Sequence, residues 1–293
     1  MASEASTVQP SCGCKGIRFC SSCIHTERVK KLRTEECPYS TFTTFVFSRS
    51  RGCAVRFNGL GSSANLEEIS EATSQVANVK EGDETIAING LLLVEDFLSA
   101  KKRRNLSKPS TRRIGFCPSQ GEGSRFDYGP QVNFKHKKVK MTRFVGMPDY
   151  ADLVLNKMSH ISSTKLGSYQ PFELCNLEYD DDRMSAIEMH QDDMWIWGNR
   201  LISLNLINGS VMTLVNETEK RLLYVLMTRR SLLCMADDAR YQWKHGVYAK
   251  HIRGRRIALT MREPAPAFQE GGELYEKFGK ELIRLGNVRL PCR

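Results

Sequence analysis

The chain has 293 residues, 41% of them hydrophobic, with a net charge of +10 and ten cysteines. That length fits one large domain or a core with an appended module, and the composition fits a soluble globular protein. No run of about eighteen apolar residues argues for a transmembrane helix, and the opening Met-Ala-Ser-Glu-Ala-Ser lacks a signal-peptide core, so the cysteines are expected as reduced thiols or metal ligands rather than a disulfide framework.

Residues 1–40 read as a cysteine-rich module. Cys12, Cys14, Cys20 and Cys23 are spaced C-x-C-x5-C-x2-C, with His25 and Cys37 close behind. Four thiolates so near one another suit one tetrahedral Zn²⁺, although the first gap is tighter than the usual roughly two to four intervening residues. Free thiols in a flexible tail, or an iron–sulfur cluster, are the alternatives. Residues 41–88 form an extension. Within it, 41–47 and 53–57 read as the strands of a hairpin, Asn58-Gly59 is a turn signal, and 66–76 is a short helix. Residues 90–99 read as a strand running into a helix N-terminus. The stretch 101–143 then carries thirteen Lys and Arg against Glu122 and Asp127 alone, a local charge of +11. So focused a block points to a polyanion, with phosphates the obvious candidate; the alternative is a solubilising loop.

Residues 147–161 place Tyr150, Val154, Met158 and Ile161 at helical spacing, with Pro148 in the first turn. His160 on it is read as structural. A strand over 172–179 leads into Asp180-Asp181-Asp182, read as a solvated loop. Residues 201–206 alternate polar and apolar and end in Asn208-Gly209, a second hairpin signal. Strands over 211–215, 221–227 and 231–235 complete a run of short strands that suggests a sandwich or barrel-like sheet. Leu274, Phe278 and Leu282 recur every four residues, which makes 272–286 an amphipathic helix docking on the core.

The chemistry-bearing stretch is Met184–Gly198. His190 and Asp192 are two apart, so on a strand both project from one face. That pair is two-thirds of the 2-His-1-carboxylate set that holds non-haem Fe(II) with open positions. His-x-acid is a weak signal alone, since His25-Thr26-Glu27 matches it too. Downstream, His245 follows Trp243-Lys244, and Arg256 and Arg262 bracket an alternating segment. Arg256, Ala258, Thr260 and Arg262 share one face; Ile257, Leu259 and Met261 share the other. Two guanidiniums on one face leave a gap suited to a short dicarboxylate, each forking onto a carboxylate.

With these residues in order, the chain resembles the AlkB family of Fe(II)/2-oxoglutarate dioxygenases, closest to the fourth subfamily of animal AlkB homologues. Further matching pieces are Cys12-Gly-Cys14-Lys-Gly-Ile-Arg18, Asp127-Tyr128-Gly129-Pro130, Asn133-Phe134, Cys175-Asn176 with Tyr179, Trp195-Ile-Trp197-Gly198 and Gln242–His245. The resemblance implies a mainly β fold with flanking helices (α+β), a double-stranded β-helix or jelly roll over 89–270, a substrate lid over 101–143 and a C-terminal helix over 271–293. It implies Fe(II) on His190, Asp192 and His245, with 2-oxoglutarate held by Arg256, Arg262 and Tyr179. O₂ and 2-oxoglutarate would be consumed, giving succinate and CO₂, and a hydroxylated N-methyl group would leave as formaldehyde. The segment around Arg125 and Tyr128 resembles a lid element lining the substrate mouth. The family's Asn-x-Tyr is here Asn176-Leu-Glu-Tyr179, one residue longer, which puts the role of Asn176 in doubt.

Three substrates or roles follow as expectations. DNA bearing 6-methyladenine fits the cationic lid and a Tyr128 that stacks on a base taken out of its duplex. A methyl-lysine protein, with actin the example the resemblance implies, fits a cradle of Trp195 and Trp197 around the cation. A non-catalytic adaptor would use the cysteine module and the basic block, against an intact iron set. Met194 stands where the family's alkyl-base repair enzymes have an acid, which weakens direct repair of cationic bases. Lys101-Lys-Arg-Arg104 with Lys108-Pro109 resembles a nuclear import patch. A nuclear and also cytoplasmic monomer is expected, with no membrane partner.

Overall fold

The computed structural model describes residues 26–27, 38–78, 82–99, 125–182 and 184–291, without the side chains of 125–127. The four cysteines expected to hold zinc, most of the basic lid and the import patch lie outside these residues.

Strand propensity builds seventeen strands among the described residues, the central ones buried on both faces: β1 Thr43–Ser48, β2 Cys53–Arg56, β3 Thr85–Ile86, β4 Leu91–Val94, β5 Arg125–Tyr128, β6 Gln131–Asn133, β7 Lys138–Lys140, β8 Met147–Pro148, β9 Glu173–Tyr179, β10 Ile187–His190, β11 Trp197–Leu206, β12 Ser210–Asn216, β13 Arg221–Met227, β14 Leu232–Met235, β15 Lys244–Val247, β16 Arg256–Pro264 and β17 Arg289–Leu290. The α-helices are α1 Leu66–Gln75, α2 Ala151–Ser159, α3 Asp237–Tyr241 and α4 Lys280–Gly286. One sheet runs β10-β15-β12-β13-β1-β2-β3, the other β4-β14-β11-β16-β9-β5.

From β9 to β16 the chain passes back and forth between these sheets, with β12 and β13 the one hairpin that stays in a single sheet. This mainly β layout is consistent with a double-stranded β-helix. Alternation along each strand decides what faces where. Leu177, Tyr179, Leu201 and Ala258 of one sheet meet Phe45, Leu214, Leu223 and Val247 of the other between the two layers. The opposite face of the six-stranded sheet (Leu174, Ile202, Leu204, Leu259 and Met261) packs on α2 and α4. The outer face of the seven-stranded sheet packs Val46, Val211 and Tyr224 against Ile69 and Ala72 of α1. Asn65 caps α1 and forms a reciprocal capping box with Glu68.

Several local expectations are corrected. Asn208-Gly209 does not close a hairpin: β11 and β12 belong to different sheets, so the dipeptide carries the chain across the sandwich. The expected first hairpin, by contrast, is present: it turns at residues 49–52, where Gly52 takes φ +63°, and Asn58-Gly59 makes a turn just after β2. Pro148 sits in β8, paired in parallel with β17, and α2 begins only at Ala151. After β4 the described chain makes a turn at 95–96 and no helix through Ser99. The C-terminal helix opens as a π-helical turn, Tyr275–Gly279, before α4. Gly279 is required there, because a Cβ would lie 1.9 Å from the carbonyl oxygen of Phe268. No helix among the described residues is long and apolar enough to cross a membrane.

Candidate active site

β10 and β15 are antiparallel neighbours at one edge of the seven-stranded sheet, and their register sets His190 opposite His245. The two rings lie 4.4 Å apart, centroid to centroid. β10 ends at His190, so Asp192 is not on the strand as the two-residue spacing implied; it returns to the pair from the loop beyond. Its carboxylate oxygens are 3.9 Å from Nε2 of His190 and 4.0 Å from Nε2 of His245. One ligand atom from each residue falls within 4.8 Å of the others, a set able to hold a metal ion.

The electrostatics suit that task. Nδ1 of His190 is 2.8 Å from the carbonyl oxygen of Glu188. A carbonyl only accepts, so Nδ1 is the donor in this contact, and Nε2 would be the atom offered to a metal. Burial, with His190 alongside, lowers the pKa of His245 to about 3 and keeps it neutral. Burial of Asp192 would raise its pKa, but Arg262 and the two imidazoles outweigh it and hold the carboxyl well below the ordinary carboxylate range. Arg262 donates from Nε and Nη2 to the two oxygens of Asp192 at 3.1 and 3.0 Å, and from Nη1 to Glu173 at 2.5 Å. Arg240, 2% exposed, donates from Nη2 to the Asp192 carbonyl at 2.9 Å and braces the loop from behind.

Arg256 and Arg262 do flank one face of β16, but they are not a matched clamp. Arg262 is taken up by Asp192 and Glu173. Arg256 is 1% exposed; its Nε donates to Oδ1 of Asn205 at 2.6 Å, while Nη1 and Nη2 have no hydrogen-bond partner. Its guanidinium carbon lies 4.6 Å from the centroid of the Tyr179 ring. Burial lowers its pKa and Tyr179 opposes that. Two orphaned donors on a buried cation call for an anion. They open on a cleft lined by Leu177, Tyr179, Leu201, Met212 and Ala258, with the metal set also on its wall. A chain with a carboxylate at one end and metal-binding oxygens at the other fits this cleft, so the donor set suits Fe(II) and 2-oxoglutarate.

Other expected residues go elsewhere. Asn176 points to the outer face, where Nδ2 donates to the Tyr150 hydroxyl at 2.7 Å. Three positions before Tyr179 is the wrong parity for a shared face; Leu177 holds the position beside it. Tyr128 pairs with Leu174 and packs with it in the outer cluster, so the base-stacking role expected for it loses its geometry. Arg125 pairs with Leu177 through its backbone. Trp195 and Trp197 form no cradle: Trp195 packs against Phe268 at 6.2 Å, and Trp197 is buried against Phe172 at 5.4 Å. Asp180–Asp182 gather, but Asp181 accepts the Gly254 N–H at 2.7 Å and Asp180 the Asp182 N–H at 3.1 Å, as a loop does. His251 is fully buried on the Ala64 carbonyl, and His160 caps the end of α2. Asn205, Glu173 and Arg240 were not singled out from sequence. The alternation of β11 put Asn205 on the cleft face, but nothing local named its partner.

A scan of protein-family models found no match. Over 286 residues, 97% of both chains, the protein is 57% identical to a Caenorhabditis elegans protein named DNA N6-methyl adenine demethylase. It is 31% identical over 314 residues to the human alpha-ketoglutarate-dependent dioxygenase alkB homolog 4, covering 97% of this chain and 96% of that one. The mouse counterpart is 30% identical over 316 residues at the same coverage. With the iron set and the buried anchor in place, the chain belongs to the AlkB family of 2-oxoglutarate-dependent dioxygenases.

Proposed function

We propose that the protein removes the N6-methyl group of 6-methyladenine in DNA. The carrying observation is the His190–Asp192–His245 set sharing a cleft with the unpaired donors of Arg256. The choice of substrate is supported by the nearly full-length likeness to the nematode protein. Neutral Nε2 atoms and an ionised Asp192 would hold Fe(II) and leave positions for cosubstrates. Arg256 would take the far carboxylate of 2-oxoglutarate, and the apolar wall would keep water from the reacting carbon. The bound iron, with O₂ and 2-oxoglutarate, supplies the oxidation: one oxygen atom goes to succinate, the other to the methyl carbon, with loss of CO₂. The hydroxymethyl amine then breaks its C–N bond, returning the proton to the amine and releasing formaldehyde.

A second observation favours nucleic acid. The β6–β7 hairpin exposes Phe134 together with Lys135, Lys137, Lys138 and Lys140, and Arg143 follows. Among the described residues no carboxylate neutralises these five cations. Such unpaired charge is suited to phosphates and makes affinity salt-dependent. The methyl-lysine reading loses its motive, because neither tryptophan is placed as a cage wall.

The deciding test offers 6-methyladenine oligonucleotides and a monomethyl-lysine peptide side by side and measures formaldehyde. Release from the oligonucleotides is expected. Release from the peptide alone would overturn the proposal. Replacing Lys135, Lys137 and Lys138 by Glu is expected to weaken oligonucleotide binding and flatten its salt dependence, by about one unit of log–log slope for each phosphate that is no longer neutralised.

A further inference from the structure

We infer that Asn205 positions Arg256 and thereby sets the selectivity of the cleft for a dicarboxylate. The inference rests on the cosubstrate reading above. Asn205 is 0% exposed and projects from β11 on the cleft side, opposite Ala258 of β16. Its Nδ2 lies 2.9, 3.2 and 3.0 Å from the carbonyl oxygens of Asn208, Met227 and Thr228. Three acceptors fix which end of the amide carries the hydrogens. Oδ1 must therefore face the other way, and it accepts from Nε of Arg256 at 2.6 Å. Leu177 and Ala258 on the cleft wall have no side-chain acceptor to offer, and Tyr179, the partner of Arg256 on β9, meets the guanidinium with its ring centroid 4.6 Å from the guanidinium carbon.

The division of labour is chemical. A neutral amide oxygen occupies Nε and orients the planar fork without cancelling its charge. A carboxylate in the same place would pair with the guanidinium and compete with the cosubstrate. Arg262 shows that alternative in the same cleft: its charge is already matched by Asp192 and Glu173. Asn205 is therefore a positioning residue, acting on the cosubstrate only through Arg256. The carbonyls it ties together come from the link between the sheets and from the end of β13. The orientation of the anchor is thus fixed by the sandwich crossing itself.

The test loads wild type, Asn205→Asp and Asn205→Ser with Mn²⁺ and measures binding of two ligands by calorimetry. One is 2-oxoglutarate. The other is 2-oxovalerate, a five-carbon 2-oxoacid that lacks the far carboxylate. Wild type is expected to prefer 2-oxoglutarate, and both variants to lose about 10- to 100-fold of that preference while binding 2-oxovalerate and Mn²⁺ as before. If Asn205 only supports the fold, both ligands weaken equally and the preference survives, which overturns the inference. Unchanged preference in a folded Ser variant overturns it too, even if the Asp variant does not fold. Failure of wild type to bind 2-oxoglutarate would instead sink the cosubstrate reading.

Discussion

The two ends of the cleft solve opposite problems. At the metal end the carboxylates are ion-paired: Asp192 is held by Arg262, Arg262 also by Glu173, and Arg240 braces the loop through backbone carbonyls. At the anchor end Arg256 keeps two donors unmet, with one neutral amide behind it. The saturated end fixes ligand geometry before metal arrives. The unsaturated end retains a desolvation cost that a bound carboxylate relieves. A buried ion pair and a buried lone cation on the same strand therefore carry different energetic signs, and substitutions can separate them.

The largest effect is expected from Asp192→Ala. It removes one of three ligands and leaves Arg262 to Glu173 alone. Turnover should fall by more than about 100-fold, more than loss of an outer-shell partner costs, and stoichiometric Fe(II) binding should vanish in a direct titration. Binding with wild-type affinity would break the assignment of the metal end.

A smaller and more telling effect comes from the two arginines. Arg262→Met strands two carboxylates in the cleft and is expected to cost about 3–5 kcal/mol in urea unfolding. Arg256→Met removes a buried charge with no ion-pair partner, so stability should stay level or rise while 2-oxoglutarate affinity falls by about 100-fold. Equal destabilisation by both would erase the contrast between the ends.

The smallest effect lies outside the cleft. His251 is fully buried on the Ala64 carbonyl, and burial lowers its pKa to about 4, below the unfolded value near 6.5. Above that value both states are neutral and its contribution is complete. As pH falls from about 6.5 to about 4 the unfolded chain binds the proton first, so stability drops by at most about 3 kcal/mol. His245 in the metal-free protein has the same sign, so the measurement is the difference between wild type and His251→Gln. An identical slope in both would remove His251 as the cause.

Much of the metal end was legible in the sequence, because ligand chemistry restricts residue types and β16 alternates without a break. Arg256, Ala258 and Thr260 do line the cleft with Arg262, and Ile257, Leu259 and Met261 do face the helices. What failed depended on partners far along the chain. The parity of Tyr128 is set by pairing with Leu174, a register that no local pattern encodes. Asn208-Gly209 has hairpin chemistry, yet Leu206 and Ser210 pair with strands of different sheets. Asn205 looked like one polar residue in an alternating strand, and only β16 beside it gives it a role. The tryptophans were read by chemistry, but packing against Phe172 and Phe268 claimed them first.

Incubating the Fe(II)-loaded protein with single-stranded DNA containing 6-methyladenine, and counting succinate and formaldehyde together, bears most directly on the account. One formaldehyde per succinate is expected, with both products lost in Asp192→Ala. Succinate without formaldehyde, or formaldehyde formed without 2-oxoglutarate, would contradict it.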